Sequence, residues 1–172
     1  PLEIVVKLED ETPVELTPED LKEMTPEDIQ MEREYMEARR NKPELWFTPT
    51  KVQIVKKVHD YLDGLPGIGK VLSLASAVRA AEGYAEHELD GMELAILYTK
   101  VPASVKRVLI DPYVSIHDNE FRLMARVLDS KPDLRRNELL ETVRRDLGKE
   151  FGFKELATYK FLIKDVTVSG LL

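Results

Sequence analysis

Every second residue from Leu2 to Leu8 is a large aliphatic, with Glu3, Val5 and Lys7 between them. A period of two places Leu2, Ile4, Val6 and Leu8 on one face, which predicts a strand with one buried side. Thr17-Pro-Glu-Asp20 and Thr25-Pro-Glu-Asp28 repeat the same four letters eight residues apart. In each, Thr suits the N-cap, Pro the first helical turn and the acids the positive helix end, so the pair predicts two helix starts. The second helix should run through Met31, Tyr35 and Met36 to about Arg40, its many charges keeping it at the surface.

Asn41-Lys-Pro43 breaks that pattern, and Trp46 and Phe47 precede a third Thr-Pro pair at Thr48-Pro49, with Phe47 placed as a hydrophobic staple. Ile54, Val55, Val58, Tyr61, Leu62 and Leu65 then recur at helical spacing, predicting a helix laid on a sheet. Gly64, Pro66, Gly67 and Gly69 end it, and Lys70 to Ala75 read as a strand with Leu72 and Leu74 on one side. Residues 76–110, rich in Ala, Leu and Val and interrupted by Gly83, Asp90-Gly91 and Pro102, predict two or three short helices.

Alternation resumes at Tyr113 to Ile116 and at Phe121 to Val127, separated by His117-Asp-Asn-Glu120, which predicts a hairpin. Ser130-Lys-Pro-Asp133 has the form of a capping box opening a long helix with Leu140, Val143, Leu147 and Phe151 as its apolar stripe. Val166 and Val168 alternate with Thr167 and Ser169 in a last strand. The resulting order is β-α-β-β-α-β: an α+β, ferredoxin-like split βαβ fold with an antiparallel sheet and helices on one face. Helical insertions follow the first and second strands, at about 12–46 and 76–111. Lys7, Arg122, Met124, Arg126, Thr167 and Ser169 should occupy the uncovered face.

The chain has 172 residues, 43% of them hydrophobic, which suits a single domain with a core of its own. Charged residues make up 33%, the net charge is -7 and no basic run of the usual kind occurs, which argues against a phosphate-backbone binder driven by counterion release. Without cysteines there is no disulfide, no thiolate chemistry and no Cys-held zinc or iron-sulfur cluster. The start at Pro1, directly into a strand, reads as a piece of a longer protein.

Gly64 to Lys70 fits the opening of the phosphate-loop pattern GxxxxGK[ST]. That loop needs a strand before it and a helix after it, with Ser or Thr for magnesium; here a predicted helix leads in, a strand leads out, and Val71 fills the magnesium position. His59-Asp60 and His117-Asp118 resemble the HD pair of metal phosphohydrolases, but the only other histidine is His87, and both pairs read as structural. Ser73, Ser76, Ser104, Ser115 and Ser169 lack a nucleophile elbow. The chain therefore reads as neither an enzyme nor a cofactor protein.

The run Pro1-Leu-Glu-Ile-Val-Val6, the helix ending Leu65-Pro-Gly-Ile-Gly-Lys-Val-Leu-Ser-Leu74, the strand Asn119-Glu-Phe-Arg-Leu123 and the close Val166-Thr-Val-Ser-Gly170 together resemble an extracytoplasmic loop domain of the resistance-nodulation-division (RND) exporters, in the MMPL and Patched-like branch. The resemblance covers nearly the whole chain apart from the charged insertion at about 12–42. It implies a porter domain on the periplasmic side of the bacterial inner membrane, partnered by the other loop domain and the membrane helices of the same proton-driven transporter. Its role would be to bind or guide a hydrophobic or lipid substrate for export without covalent chemistry. The proton-coupling acids of that family lie in membrane helices, so no residue here inherits the energising role. Trp46, Phe47, Tyr84, Met92 and Tyr98 are the candidates for a substrate path, against the alternative that they fill the core. A free-standing ferredoxin-like ligand-binding or protein-interaction module is the other reading of the same fold.

Overall fold

The computed structural model describes residues 1–9, 22, 24–40, 42–128, 135–148 and 152–170. Five strands form one antiparallel sheet: β1 (Leu2–Leu8), β2 (Ile68–Leu72), β3 (Val114–Ser115), β4 (Glu120–Val127) and β5 (Ile163–Gly170), in the order β2-β4-β1-β5 with β3 paired to β4. The helices are α1 (Pro26–Arg40), α2 (Pro49–Asp63), α3 (Leu74–Ala85), α4 (Gly91–Lys100), α5 (Ala103–Leu109), α6 (Arg136–Asp146) and α7 (Lys154–Ala157), with a 3₁₀ turn at Pro43–Trp46. The molecule is thus α+β, with an open antiparallel sheet and helices.

The alternation read from β1 holds: Leu2, Ile4, Val6 and Leu8 are buried, and they meet Phe121, Leu123 and Ala125 of β4 and Val168 of β5 in one core. Val71 of β2 points the same way, and Val52, Ile54, Val55, Val58 and Leu62 of α2 complete the packing. Fully burying a side chain of that size contributes about 1.5 to 3 kcal/mol, so this one seam of β1, β4 and α2 dominates the stability. Glu3, Arg122, Met124, Lys70 and Leu72 fall on the opposite face, where the register sets Leu72 across from Met124 and Lys70 across from Arg126. An ion pair between Arg122 and Glu3, 2.9 Å long, crosses that face.

Both Thr-Pro starts inside the described residues cap helices. Thr25 and Asp28 bond reciprocally at the head of α1, and the Thr48 hydroxyl accepts the Lys51 N–H at the head of α2. The start read at Thr17, the Ser130 capping box and Phe151 lie outside the described residues. Three helices fill residues 74–109, at the upper end of the number expected.

Four boundaries differ from the sequence reading. The strand expected over 70–75 runs from Ile68 to Leu72, because Ser73 turns outward from the ladder and caps α3, its hydroxyl accepting the Ala75 N–H. Leu72 and Leu74 consequently do not share a side: Leu72 is on the uncovered sheet face and Leu74 is buried in α3. Gly83 does not break its helix; an added Cβ would meet nothing within 4 Å, so the helix passes through it unhindered. The final strand begins at Ile163, three residues before the alternation becomes visible, because Ile163 pairs with Leu8 across a register shift after Lys7.

One glycine in the helix-to-strand corner is required by its backbone, and a second sits close to a neighbouring side chain. Gly67 has φ 97°, a conformation only glycine adopts without strain. At Gly69 an added Cβ would stand 2.7 Å from Leu128 Cδ2, so the glycine lets the chain after β4 approach β2. The corner joins α2 to β2, a helix before and a strand after, and Lys70 lies within the strand.

Candidate functional site

Three of the five substrate-path candidates come together. The Trp46 and Phe47 rings meet edge to face with centroids 5.2 Å apart, and Phe47 stacks on Tyr98 of α4 at 4.6 Å. Trp46 and Phe47 are buried in the core, and the Trp46 indole N–H donates to Asn119 Oδ1 at 2.9 Å. Cations cover the outer rims: Lys51 Nζ lies 5.0 Å from the Trp46 ring centre and Lys106 Nζ 4.1 Å from that of Tyr98. This cluster staples the 3₁₀ turn and α4 to the β3–β4 turn. Tyr84 and Met92 stay outside it, 93% and 74% exposed. The candidates thus divide into a packed cluster and two surface residues, and do not line one path.

Asn119 anchors the cluster. It sits in the left-handed region at φ 51°, one of the few side chains that tolerate it, and its amide N–H donates to the Glu9 carbonyl at 2.8 Å. Its own carbonyl accepts the Leu8 N–H at 2.8 Å, tying the end of β1 to the turn. Among the described residues no buried side-chain nitrogen or oxygen lacks a hydrogen-bond partner.

The histidines divide similarly. His59 is buried and its Nδ1 shares a 2.8 Å hydrogen bond with the Ser73 hydroxyl, which makes it a tie between α2 and the cap of α3. Burial first, and the nearby Arg79 second, hold its pKa below the usual histidine value against the pull of Asp60 and Asp63. Ser73 is 1% exposed, so this Ser-His pair has no access to a substrate. His117 lies in the hairpin turn and is exposed. A buried ion pair, Lys56 to Glu82 at 2.7 Å, makes a second tie between α2 and α3. Among the described residues no group of three or more His, Cys, Asp or Glu side chains is arranged to hold a metal ion.

The cavity lies elsewhere, at a corner of the sheet. The β1–β4 ladder ends at the pair Leu2 and Ala125, while β4 continues through Arg126 and Val127, paired only with β2. The resulting notch has a volume of about 420 Å³. Leu72 and Met124 of the uncovered sheet face, and Leu139 and Leu140 of α6, provide apolar walls; Lys70, Arg126 and Arg136 add cationic ones. Gly170 borders it, and Leu140 fills the space a side chain there would need, its Cδ2 standing 3.2 Å from an added Cβ. The sequence pattern places Met124 and Arg126 on the uncovered face and Lys70 at the start of a strand. Only the strand register brings the three together, and no local pattern encodes it.

Comparisons with protein-family models, with curated proteins and with solved structures give no match.

Proposed function

We propose that the chain is a porter-type domain of an RND-like exporter of the MMPL and Patched-like branch, binding or guiding a hydrophobic or lipid substrate on the periplasmic side of the membrane. The observation that carries this reading is the sheet itself. The order β2-β4-β1-β5, antiparallel throughout, supports a ferredoxin-like split βαβ unit in which α2 follows the first strand and α6 the third long one. In the same sheet Leu2 of β1 pairs with Gly170 of β5, so residues 2 and 170 lie side by side at one end of the sheet. That geometry suits a domain looped between two membrane helices.

The role is noncovalent: the domain offers a surface and a cavity to a substrate that the rest of the transporter moves. No helix among the described residues is long and apolar enough to cross a membrane, so the spans this reading needs belong to the parent chain. The gene sequence on either side of residues 1–172 tests it. Apolar stretches of about 20 residues before Pro1 and after Leu172 are expected; polar flanks on both sides would leave the free-standing ferredoxin-like module as the reading.

A further inference from the structure

We infer that the corner notch is a binding site for an anionic amphiphile, with a carboxylate or phosphate head held by Lys70 and Arg126 and an aliphatic chain lying against Leu72, Met124, Leu139 and Leu140. Three observations point to it. First, Lys70 and Arg126 stand directly opposite each other on β2 and β4, and like charges in that position repel. Neither is neutralised by an ion pair among the described residues. Second, this concentration of positive charge occurs on a chain whose net charge is -7, so general surface composition does not account for it. An anion between the two cations turns their repulsion into two charge-assisted hydrogen bonds. Third, the cavity, about 420 Å³, has the size and make-up of a small-molecule site, mostly apolar with a few polar groups at one side.

The chemistry selects the ligand class. A small inorganic anion would leave the leucine and methionine walls uncovered, and a neutral hydrocarbon would leave the paired cations unsatisfied. An amphiphile with one charged head satisfies both. This deepens the transport reading and rests on it for the physiological source of the ligand, whereas the site is defined by residues of this chain alone. It lies beside Pro1 and Gly170, and the aromatic cluster around Trp46 is tied instead to the other end of β1, at Leu8 and Glu9.

Calorimetry on the 172-residue chain tests the proposal with dodecyl phosphate, laurate, dodecyl maltoside and inorganic phosphate, each below its micellar concentration. Dodecyl phosphate or laurate is expected to bind, with the preference between them identifying the head group, and the maltoside and inorganic phosphate to bind about tenfold more weakly or not at all. The Lys70→Gln/Arg126→Gln variant should lose about tenfold in affinity while keeping its circular dichroism, because both side chains are exposed. Maltoside binding equal to that of the anionic ligands, inorganic phosphate binding as tightly as dodecyl phosphate, or an undiminished double variant would each overturn the site. Amide chemical shifts separate this result from the transport reading. Perturbations at Lys70, Leu72 and Met124 support the notch; perturbations confined to Trp46, Phe47 and Tyr98 overturn it and leave a lipid-guiding domain with a different path. The flanking sequence decides the transport reading independently.

Discussion

Asn119 shows how one side chain can hold together parts of the chain that sequence cannot relate. Its presence in a hairpin turn was legible, since Asn tolerates φ above zero; its acceptor role for Trp46, 73 residues away, was not. Asn119→Ala leaves the Trp46 N–H and the Glu9 carbonyl without partners and puts alanine, which tolerates the left-handed region less well than asparagine, at φ 51°. It should cost about 2 to 4 kcal/mol in urea denaturation. Asn119→Gly loses the same bonds without the backbone strain and should cost about 1 kcal/mol less. His59 gives a prediction in pH. Its folded pKa lies below its unfolded value near 6.5, so below that value the unfolded chain binds the extra proton first. The stability it contributes is therefore complete above about pH 6.5 and falls as the pH drops through and below that value. His87 leans the other way, raised by its backbone bond to Glu88 and by Glu93. The measurement therefore belongs in a His87→Gln background, where the denaturation midpoint should fall between pH 7.5 and 5.5, and less steeply once His59→Gln is added.

Periodicity located the elements well and their ends less well, because an element ends where a cap or a tertiary contact competes successfully with its ladder. Ser73 could continue a strand or cap a helix; the sequence pattern alone favours neither, and the buried His59 bond settles it. Gly83 looked like a breaker because glycine is a poor helix former, yet α3 has enough packing through Leu74, Ala75 and Val78 to carry it. Since nothing lies within 4 Å of an added Cβ there, Gly83→Ala should raise stability by about 0.5 to 1 kcal/mol, visible as a higher thermal midpoint. α5 presents a different case. None of its residues is buried, Lys106 faces inward over Tyr98, and Val105, Val108 and Leu109 are exposed at helical spacing, with Val108 65% exposed. Composition and breakers alone pointed to a helix here and said nothing of which way its apolar residues face.

At the scale of the molecule, alternation revealed β1, β4 and β5 and the buried side of β1 and β4, missed the side of β2, where Leu72 and Leu74 part, and carries no information on which strand lies beside which. The antiparallel sheet observed agrees with the coarse reading of an α+β domain. The candidate site was less legible. The aromatic residues that attracted notice as ligand contacts are divided between packing and surface. The notch depends on register and on Leu139 and Leu140 lying beside sheet residues that share no sequence pattern with them. What the fold brings together is the Leu2–Gly170 end of the sheet and a cavity with cationic and apolar walls.

The absence of cysteine makes the location of this domain directly measurable. Tyr84 is 93% exposed, so Tyr84→Cys should leave the fold intact and place a single reactive thiol within residues 1–172. In the parent protein expressed in cells, with any cysteines outside this segment replaced, a membrane-impermeant maleimide should label that thiol once the outer membrane is permeabilised, and the labelled protein should remain in the membrane pellet after a carbonate wash. A thiol labelled only after the inner membrane is lysed, or a labelled protein released into the soluble fraction, would contradict an extracytoplasmic porter domain.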